Sequence, residues 1–241
     1  MSEVQMDILE VRQWDDELGE KVRAFGIHYI LMMVNRHTHV TLAHALKKKS
    51  DALFPVVELI QTYAVPAVLR ADNAGELSAG KVAALLAEKG CRVLPGVPCT
   101  SLFQGIVERF NRTARALVRH LVHTFRFPLA WFPALFRAAE WSYNHTSDEQ
   151  GKSPLMRAFG RAPDVRYMPG DSLVFVPQDM QKTLRPPGKV GFFLFAASSH
   201  EWQLAEWNSA KRQWDRVVRH HPDLRGPACT RPTLGVLLRS G

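Results

Sequence analysis

Cysteine is scarce in this 241-residue sequence, where Cys91, Cys99 and Cys229 are the only three. Too few and too widely spaced for a disulfide framework, they also form no Cys-x-x-Cys pair that could hold zinc. Long apolar runs are missing as well. No stretch reaches the ~18 residues of a membrane-spanning helix, and Met1 to Glu10 lacks the basic-then-apolar order of a signal peptide. A soluble protein of a reducing compartment, cytosolic or nuclear, is expected. No internal repeat is present. Acid is in deficit: 23 Asp plus Glu against 31 Lys plus Arg leave a net charge of +8. That balance favours an anionic partner, nucleic acid or an acidic membrane surface, without choosing between them. With 46% hydrophobic and 22% charged residues, wholesale disorder, collagen and coiled coil are excluded. The length allows one large domain, or one domain and a small appendage.

What is there begins with a short strand from Val4 to Val11 and a continuous apolar run, Tyr29-Ile30-Leu31-Met32-Met33-Val34, as expected of a strand covered on both faces. The polar stretch between them reads as a turn region. Thr38 to Ala45 roughly alternates and predicts an antiparallel third strand. Ser50-Asp51 is a candidate N-cap for a helix to about Tyr63 with Pro55 in its first turn. Ala64 to Ala71 returns to strand character. Leu77 to Gly90 has helix composition and a glycine stop, Cys91 to Leu94 is a short strand, and Pro95 to Leu102 reads as a loop. Helices are expected from Gln104 to about Thr124 and from Pro128 to Asn144. After the Gly, Pro and Arg punctuation of Gly151 to Pro169 come short β-like pieces, Ser172–Val176, Gly191–Phe195, Trp202–Trp207 and Trp214–Val218. They predict a small β-rich appendage. The pattern divides the chain at 1–165, 166–221 and a poorly ordered tail at 222–241.

Three carboxylates stand out in this layout: Asp7 inside the first strand, Asp72 just beyond the fourth, and Glu108 early in the long helix. Taken singly, an Asp after a strand is ordinarily a turn former and a Glu on a helix a solvated surface residue. Asp7 differs. Flanked by Met6 and Ile8, it would be desolvated unless a cation or hydrogen-bond donor meets it.

Asp72 and Glu108 are separated by 35 residues, and motifs surround both. Arg70-Ala71-Asp72-Asn73-Ala74-Gly75-Glu76-Leu77 resembles the R-S-D-N-G-G-E-F segment of retroviral and copia-type retrotransposon integrases. Gly105-Ile106-Val107-Glu108-Arg109-Phe110-Asn111-Arg112-Thr113 resembles their N-G-[IV]-x-E-R-x-N-R-T. Trp141-Ser142-Tyr143-Asn144-His145-Thr146 and Gly151-Lys152-Ser153-Pro154 resemble two further segments in the expected order, and Pro169-Gly170-Asp171-Ser172-Leu173-Val174 resembles the start of an SH3-like barrel. Ala74 and Leu77 depart from the usual Gly and Phe, Phe103-Gln104 from a common Gln-Asn pair, and Asn35 stands where many relatives have Asp. None of these removes a carboxylate.

The resemblance implies an α/β fold, a ribonuclease H-like five-stranded mixed sheet with helices on both faces, followed by a small C-terminal β-rich (SH3-like) module. It implies the activity of a polynucleotidyl transferase with an Asp-Asp-Glu triad: metal-dependent processing of DNA ends and their joining to target DNA. The implied partners are element and target DNA and further copies of the chain, and the implied place of action is the nucleus. The upstream His/Cys zinc module of full integrases has no counterpart, so a polyprotein fragment or a decayed or truncated copy is expected. The chemistry suits the residues. Phosphoryl transfer builds charge on attacking and leaving oxygens, and two divalent cations can stabilise both. Mg²⁺ and Mn²⁺ take hard oxygen ligands. By the resemblance Asp7 bridges two such ions, Asp72 holds one and Glu108 the other. Two rivals share the fold: a catalytically silent or domesticated DNA-binding derivative, and a nuclease that hydrolyses rather than joins.

The long helix allows a reading independent of resemblance. At ~100° per residue, Glu108, Arg112, Arg115 and Arg119 fall in one sector, while Val107, Phe110, Ala114, Leu117, Val118 and Leu121 fall opposite. One face packs and the other is cationic, suited to neutralising phosphates without reading sequence. An ordinary i,i+4 pair of Glu108 with Arg112 is the plain alternative. Asn111, inside the motif, joins Arg112, Arg115 and Arg119 as a candidate DNA contact. Lys47-Lys48-Lys49 reads as a solvated loop before a phosphate contact. His37, His39, His220 and His221 show no ligand spacing, and Trp131 and Trp141 suit core packing. In the β-rich part, Trp202, Trp207 and Trp214 with Lys182, Arg185, Lys189, Lys211, Arg212 and Arg216 fit either a nucleic-acid surface or a barrel core with a charged rim.

Overall fold

A computed structural model describes residues 3–14, 16–71, 80–95, 101–161, 168–175, 189–196 and 201–220. The expected apolar run becomes β2 (Tyr29–Asn35), in which Ile30 to Asn35 are all buried. Burial without alternation means both faces are covered, as a both-sided α/β sheet requires. β2 pairs antiparallel with β1 (Glu3–Glu10) on one side and β3 (Thr41–Leu46) on the other. Beyond β1 lie β4 (Val68–Ala71) and β5 (Arg92–Pro95), both running parallel to it, which gives the order β3-β2-β1-β4-β5. This is the five-stranded mixed sheet the resemblance implied.

Helix α3 (Leu53–Thr62) connects β3 to β4, and α4 (Lys81–Glu88) precedes β5. Their apolar sides cover one sheet face: Val56, Leu59, Val82 and Leu86 join Val4, Met6, Leu31, Met33, Leu69 and Ala71 in one core. Helix α5 (Ser101–Phe125) and α6 (Phe132–His145) form a second layer, with Phe110 of α5 wholly buried and edge-on to Phe136 and Tyr143 of α6. Burying such a ring contributes about 1.5–3 kcal/mol.

Several local expectations need correction. The presumed turn region between β1 and β2 folds as two short helices, α1 (Val11–Trp14) and α2 (Asp16–Arg23), pinned by buried Val11, Leu18 and Val22. Three apolar residues among polar ones were too sparse a signal. Gly19 lets the two helices meet, since a Cβ there would lie 2.7 Å from the Val11 carbonyl oxygen. Ser50-Asp51 is no N-cap: a 3₁₀ turn, Lys49–Ala52, leads into α3, and Asp51 Oδ2 accepts from Lys48 N at 3.0 Å. Pro55 does sit in the first turn of α3. Leu129–Trp131 is likewise a 3₁₀ turn before α6. Inside the presumed punctuation lies α7 (Pro154–Phe159): Ser153 Oγ accepts from Met156 N at 3.1 Å, Pro154 takes the first helical position and Gly160 closes it at φ 71°. Ser153 and Pro154 of the Gly-Lys-Ser-Pro segment therefore start a helix.

Two compact units emerge, 1–118 with 129–163, and 119–128 with 164–241. The second carries an antiparallel meander in the order β6 (Ser172–Phe175), β7 (Lys189–Ala196), β8 (Glu201–Asn208), β9 (Gln213–His220). Trp202, Phe193, Leu194 and Leu204 are buried in it, and Phe192 and Trp214 pack with Phe125 at the end of α5 and Phe127 just beyond it. Trp202 is thus core, whereas Trp207, 47% exposed, stands edge-on to Trp214. The expected tail at 222–241 lies outside the described residues.

Candidate active site

Asp7 sits in β1 between Met6 and Ile8, half-buried, and is paired with the buried Met32 of β2. Strand alternation sets it on the sheet face opposite the Val4–Met6–Leu31 core, together with Glu3 and Gln5. Met6 pairs in parallel with Ala71, the last residue of β4. These two paired residues each immediately precede a carboxylate of the expected triad, Asp7 and Asp72. Asp72 itself lies outside the described residues, as do the rest of its motif through Leu77 and part of the loop expected from Pro95 to Leu102.

Glu108 is exposed on α5, and the burial of that helix follows the sector reading. Val107, Phe110, Ala114, Leu117, Val118 and Leu121 are buried, while Arg112, Arg115 and Arg119 are exposed. Asn111 differs from these arginines. It is only partly exposed, and its Oδ1 is buried without a hydrogen-bond partner among the described residues. Arg109 stands close enough to His39 and Tyr143 to act on both: burial, then Arg157 and Arg109, lower the His39 pKa, whereas burial raises that of Tyr143 against the same arginines.

Two charge networks escaped the sequence reading. Glu3, at the start of β1, accepts from Arg70 Nε at 2.7 Å through Oε1 and from Arg36 Nη1 at 3.2 Å through Oε2. Burial pushes the Glu3 carboxyl up, but the two guanidinium groups outweigh it and hold it below the usual range. The second network joins β3, α3 and α6. Arg137 donates to Glu140 Oε2 at 2.8 Å and to Glu58 Oε1 at 3.1 Å, and Glu58 Oε2 lies 2.9 Å from His44 Nε2. Burial pushes Glu140 up to about 7 despite Arg137 and the Ala43 N–H, while the His44 hydrogen bond leads in holding Glu58 down. A glutamate amid Ala138, Ala139 and Trp141 was the available signal for this network.

The donor set fits a hard divalent cation in kind: Asp7 and Glu108 offer carboxylate oxygens, the ligands that Mg²⁺ and Mn²⁺ prefer. Among the described residues no group of three or more Asp, Glu, His or Cys comes together as a metal-holding cluster. The third expected ligand is the one not described.

The catalytic core domain of BIV integrase superposes at a TM-score of 0.52 with 19% sequence identity, covering 66% of this chain and 93% of that one. The fold is that of a retroviral integrase catalytic core. An integrase-fold chain is also matched by a structure of the simian T-cell lymphotropic virus intasome in complex with PP2A regulatory subunit B56 gamma, at a TM-score of 0.52 and 13% identity over 95% of this chain and 80% of that one. No protein-family model and no curated protein matches the chain. In this integrase fold, no helix among the described residues is long and apolar enough to cross a membrane.

Proposed function

We propose that this chain is a retroelement integrase core, a polynucleotidyl transferase that processes the 3′ ends of element DNA and joins them to target DNA. The observation that carries the reading is Asp7: a half-buried carboxylate in the middle of β1, next to the Met6–Ala71 pair that sets the last residue of β4 beside it. An anion in that setting must be met by a hydrogen-bond donor or a cation, and in this reading a divalent cation is among the groups that meet it. The integrase fold and the two motifs around Asp72 and Glu108 support the same assignment.

In this reading Asp7, Asp72 and Glu108 hold two Mg²⁺ or Mn²⁺ ions. Bound there, the ions would stabilise the attacking and leaving oxygens of an in-line displacement at phosphorus. The chain's own residues supply the rest. Arg112, Arg115 and Arg119, exposed on the same side of α5 as Glu108 in the helical projection, would neutralise backbone phosphates, and Asn111 would join them once its amide turns outward. The chain would act on DNA in the nucleus, as a homo-oligomer, and would derive from a retroelement polyprotein.

The test is a nicking and strand-transfer assay on labelled duplex DNA with Mn²⁺ or Mg²⁺, wild type beside Asp72→Asn. Strand-transfer products lost in the variant would establish the reading. Hydrolysis without joining would assign a nuclease of the same fold. Salt-dependent DNA binding with an inactive wild type would assign a silent or domesticated binding derivative.

A further inference from the structure

Four elements bring hydrogen-bond donors together around the β2–β3 turn: His39 of the turn itself, Arg109 of α5, Tyr143 of α6 and Arg157 of α7. Arg157 Nη1 lies 3.1 Å from His39 Nδ1. A guanidinium can only donate, so Nδ1 is the acceptor and the ring carries its proton on Nε2. Among the described residues none accepts that outer N–H. Phe110 stands edge-on to Tyr143 with 5.2 Å between ring centroids, which brings Arg109, one residue earlier on α5, alongside the tyrosine. Arg109 and Arg157 each act electrostatically on both His39 and Tyr143, so the four side chains share one neighbourhood.

The turn is fixed before any ligand arrives. Asn35 Oδ1 accepts from His37 N and Thr38 N, each at 2.9 Å, and His39 N donates to the Asn35 carbonyl at 2.9 Å. His39 takes φ 62° there, a left-handed conformation that histidine adopts more readily than most side chains but that its surroundings must hold. Charge around it is unbalanced. Asp148 answers Arg157: its Oδ2 takes the guanidinium, and its Oδ1 is occupied by the N–H groups of Gln150 and Lys152, each at 2.9 Å. Arg109 has no such partner. It is exposed, and no hydrogen bond or ion pair to a described residue holds it. About 100° round α5 from Glu108, it also lies outside the sector of Arg112, Arg115 and Arg119.

We infer that His39, Arg109 and Tyr143 form a binding site for one phosphate group, with Arg157 behind His39 setting its ring. Phosphate oxygens only accept, and the site offers them the His39 Nε2–H, the Tyr143 hydroxyl and the charged fork of Arg109. The same chemistry comes from a phosphodiester of DNA or from a free phosphate. DNA as the source rests on the integrase reading above and gives the backbone a second point of contact, off the arginine side of α5. The phosphate site itself does not rest on that reading.

The experiment follows the imidazole nitrogen resonances of the purified full chain while inorganic phosphate or, separately, a short DNA duplex is added, and measures duplex affinity against salt. His39→Asn identifies the His39 signals: asparagine tolerates the positive φ and keeps an oxygen that can accept from Arg157, but lacks the outer N–H. The His39 Nε2 resonance should move with both ligands. Arg109→Gln should suppress that movement, weaken duplex binding about five- to tenfold near ~0.1 M salt and lower the salt slope by about 0.9, the share of one phosphate contact. Arg109→Lys, which keeps the charge, should retain most of both. Exposed and unpaired, Arg109 also carries the test if His39→Asn does not fold. A resonance that answers inorganic phosphate but not the duplex would support the phosphate site and overturn DNA as its source. A His39 signal indifferent to both ligands, or an Arg109→Gln chain with wild-type phosphate response and duplex affinity, would overturn the inference. The nicking assay with Asp72→Asn decides the integrase reading separately, since neither phosphate response nor salt slope depends on the carboxylates.

Discussion

Asn144 treats Thr41 as a neighbouring strand would: its Oδ1 accepts from the Thr41 N–H at 2.9 Å and its Nδ2 donates to the Thr41 carbonyl at 2.7 Å. β3 is the edge of the sheet, and an open edge exposes unpaired backbone groups to other chains. Glu140, one helical turn earlier on α6, takes the Ala43 N–H at 3.1 Å. Together the two side chains finish the edge that no further strand covers among the described residues. The motif residue Asn144 is thus explained by architecture.

Asn144→Ala leaves a buried donor and a buried acceptor unsatisfied, at about 1–3 kcal/mol each. The variant should lose on the order of 2–4 kcal/mol in urea denaturation and aggregate more readily in the native buffer. Asn144→Asp keeps only the acceptor and should fall between the two. A loss below about 1 kcal/mol in Asn144→Ala would show that the edge does not depend on this amide.

Glu140 makes stability depend on pH. Its carboxyl titrates near 7 in the fold because burial disfavours the anion, well above the ordinary range for a carboxyl in an unfolded chain. A group with a raised native pKa adds stability that is full below about pH 4.5 and is lost as pH rises through about 7, on the order of 3 kcal/mol in all. Glu58 works in the opposite sense. His44, and Arg137 after it, hold its pKa down, so its contribution is present at neutral pH and lost as pH falls below the ordinary carboxylate range. Denaturation midpoints across about pH 5–8 should therefore decline, and Glu140→Gln should flatten that decline. A slope that persists in Glu140→Gln would assign it to another group.

The sheet was legible because its signal is local. The apolar run of β2 needs no partner to declare itself, and the alternation of β3 and the glycine stop at Gly90, with φ +76°, are likewise local. The amphipathic α5 was read residue by residue, down to Phe110 inside and Arg112 outside. What escaped was set by long-range pairing. Glu3 meets Arg70 across 67 positions and Ala43 meets Glu140 across 97, distances over which no periodicity carries information. Asp7 was legible as an anomaly, a charge in an apolar strand. Which carboxylates join it is set by the fold, and the spacing between Asp72 and Glu108 supplied only their order along the chain.

Gly19 tests the α1–α2 corner. On helix propensity alone, Gly19→Ala in α2 would gain up to about 1 kcal/mol. A Cβ, however, would meet the Val11 carbonyl oxygen at 2.7 Å and Arg12 Cα at 2.9 Å, both backbone atoms that cannot turn aside. The clash should win, giving a net loss of about 1–3 kcal/mol in thermal or urea unfolding. A neutral or stabilised variant would mean that the corner opens freely.

On the proposed function, variants on the exposed side of α5 should separate chemistry from binding. Glu108→Gln removes one anion from a cationic helix face, so duplex affinity should stay level or rise slightly while Mn²⁺-dependent nicking disappears. Arg112→Ala and Arg115→Ala should do the reverse in kind. Each removes an exposed cation from the side proposed to meet phosphates, so binding should weaken for all sequences alike and the slope of log affinity against log salt should fall by about 0.9 for every phosphate no longer neutralised. The two readouts must part company. If Glu108→Gln weakened binding as the arginine variants do, Glu108 would be acting through the i,i+4 pair with Arg112 and not through metal. If the arginine variants left the salt slope untouched, the phosphates would lie on another face of the chain.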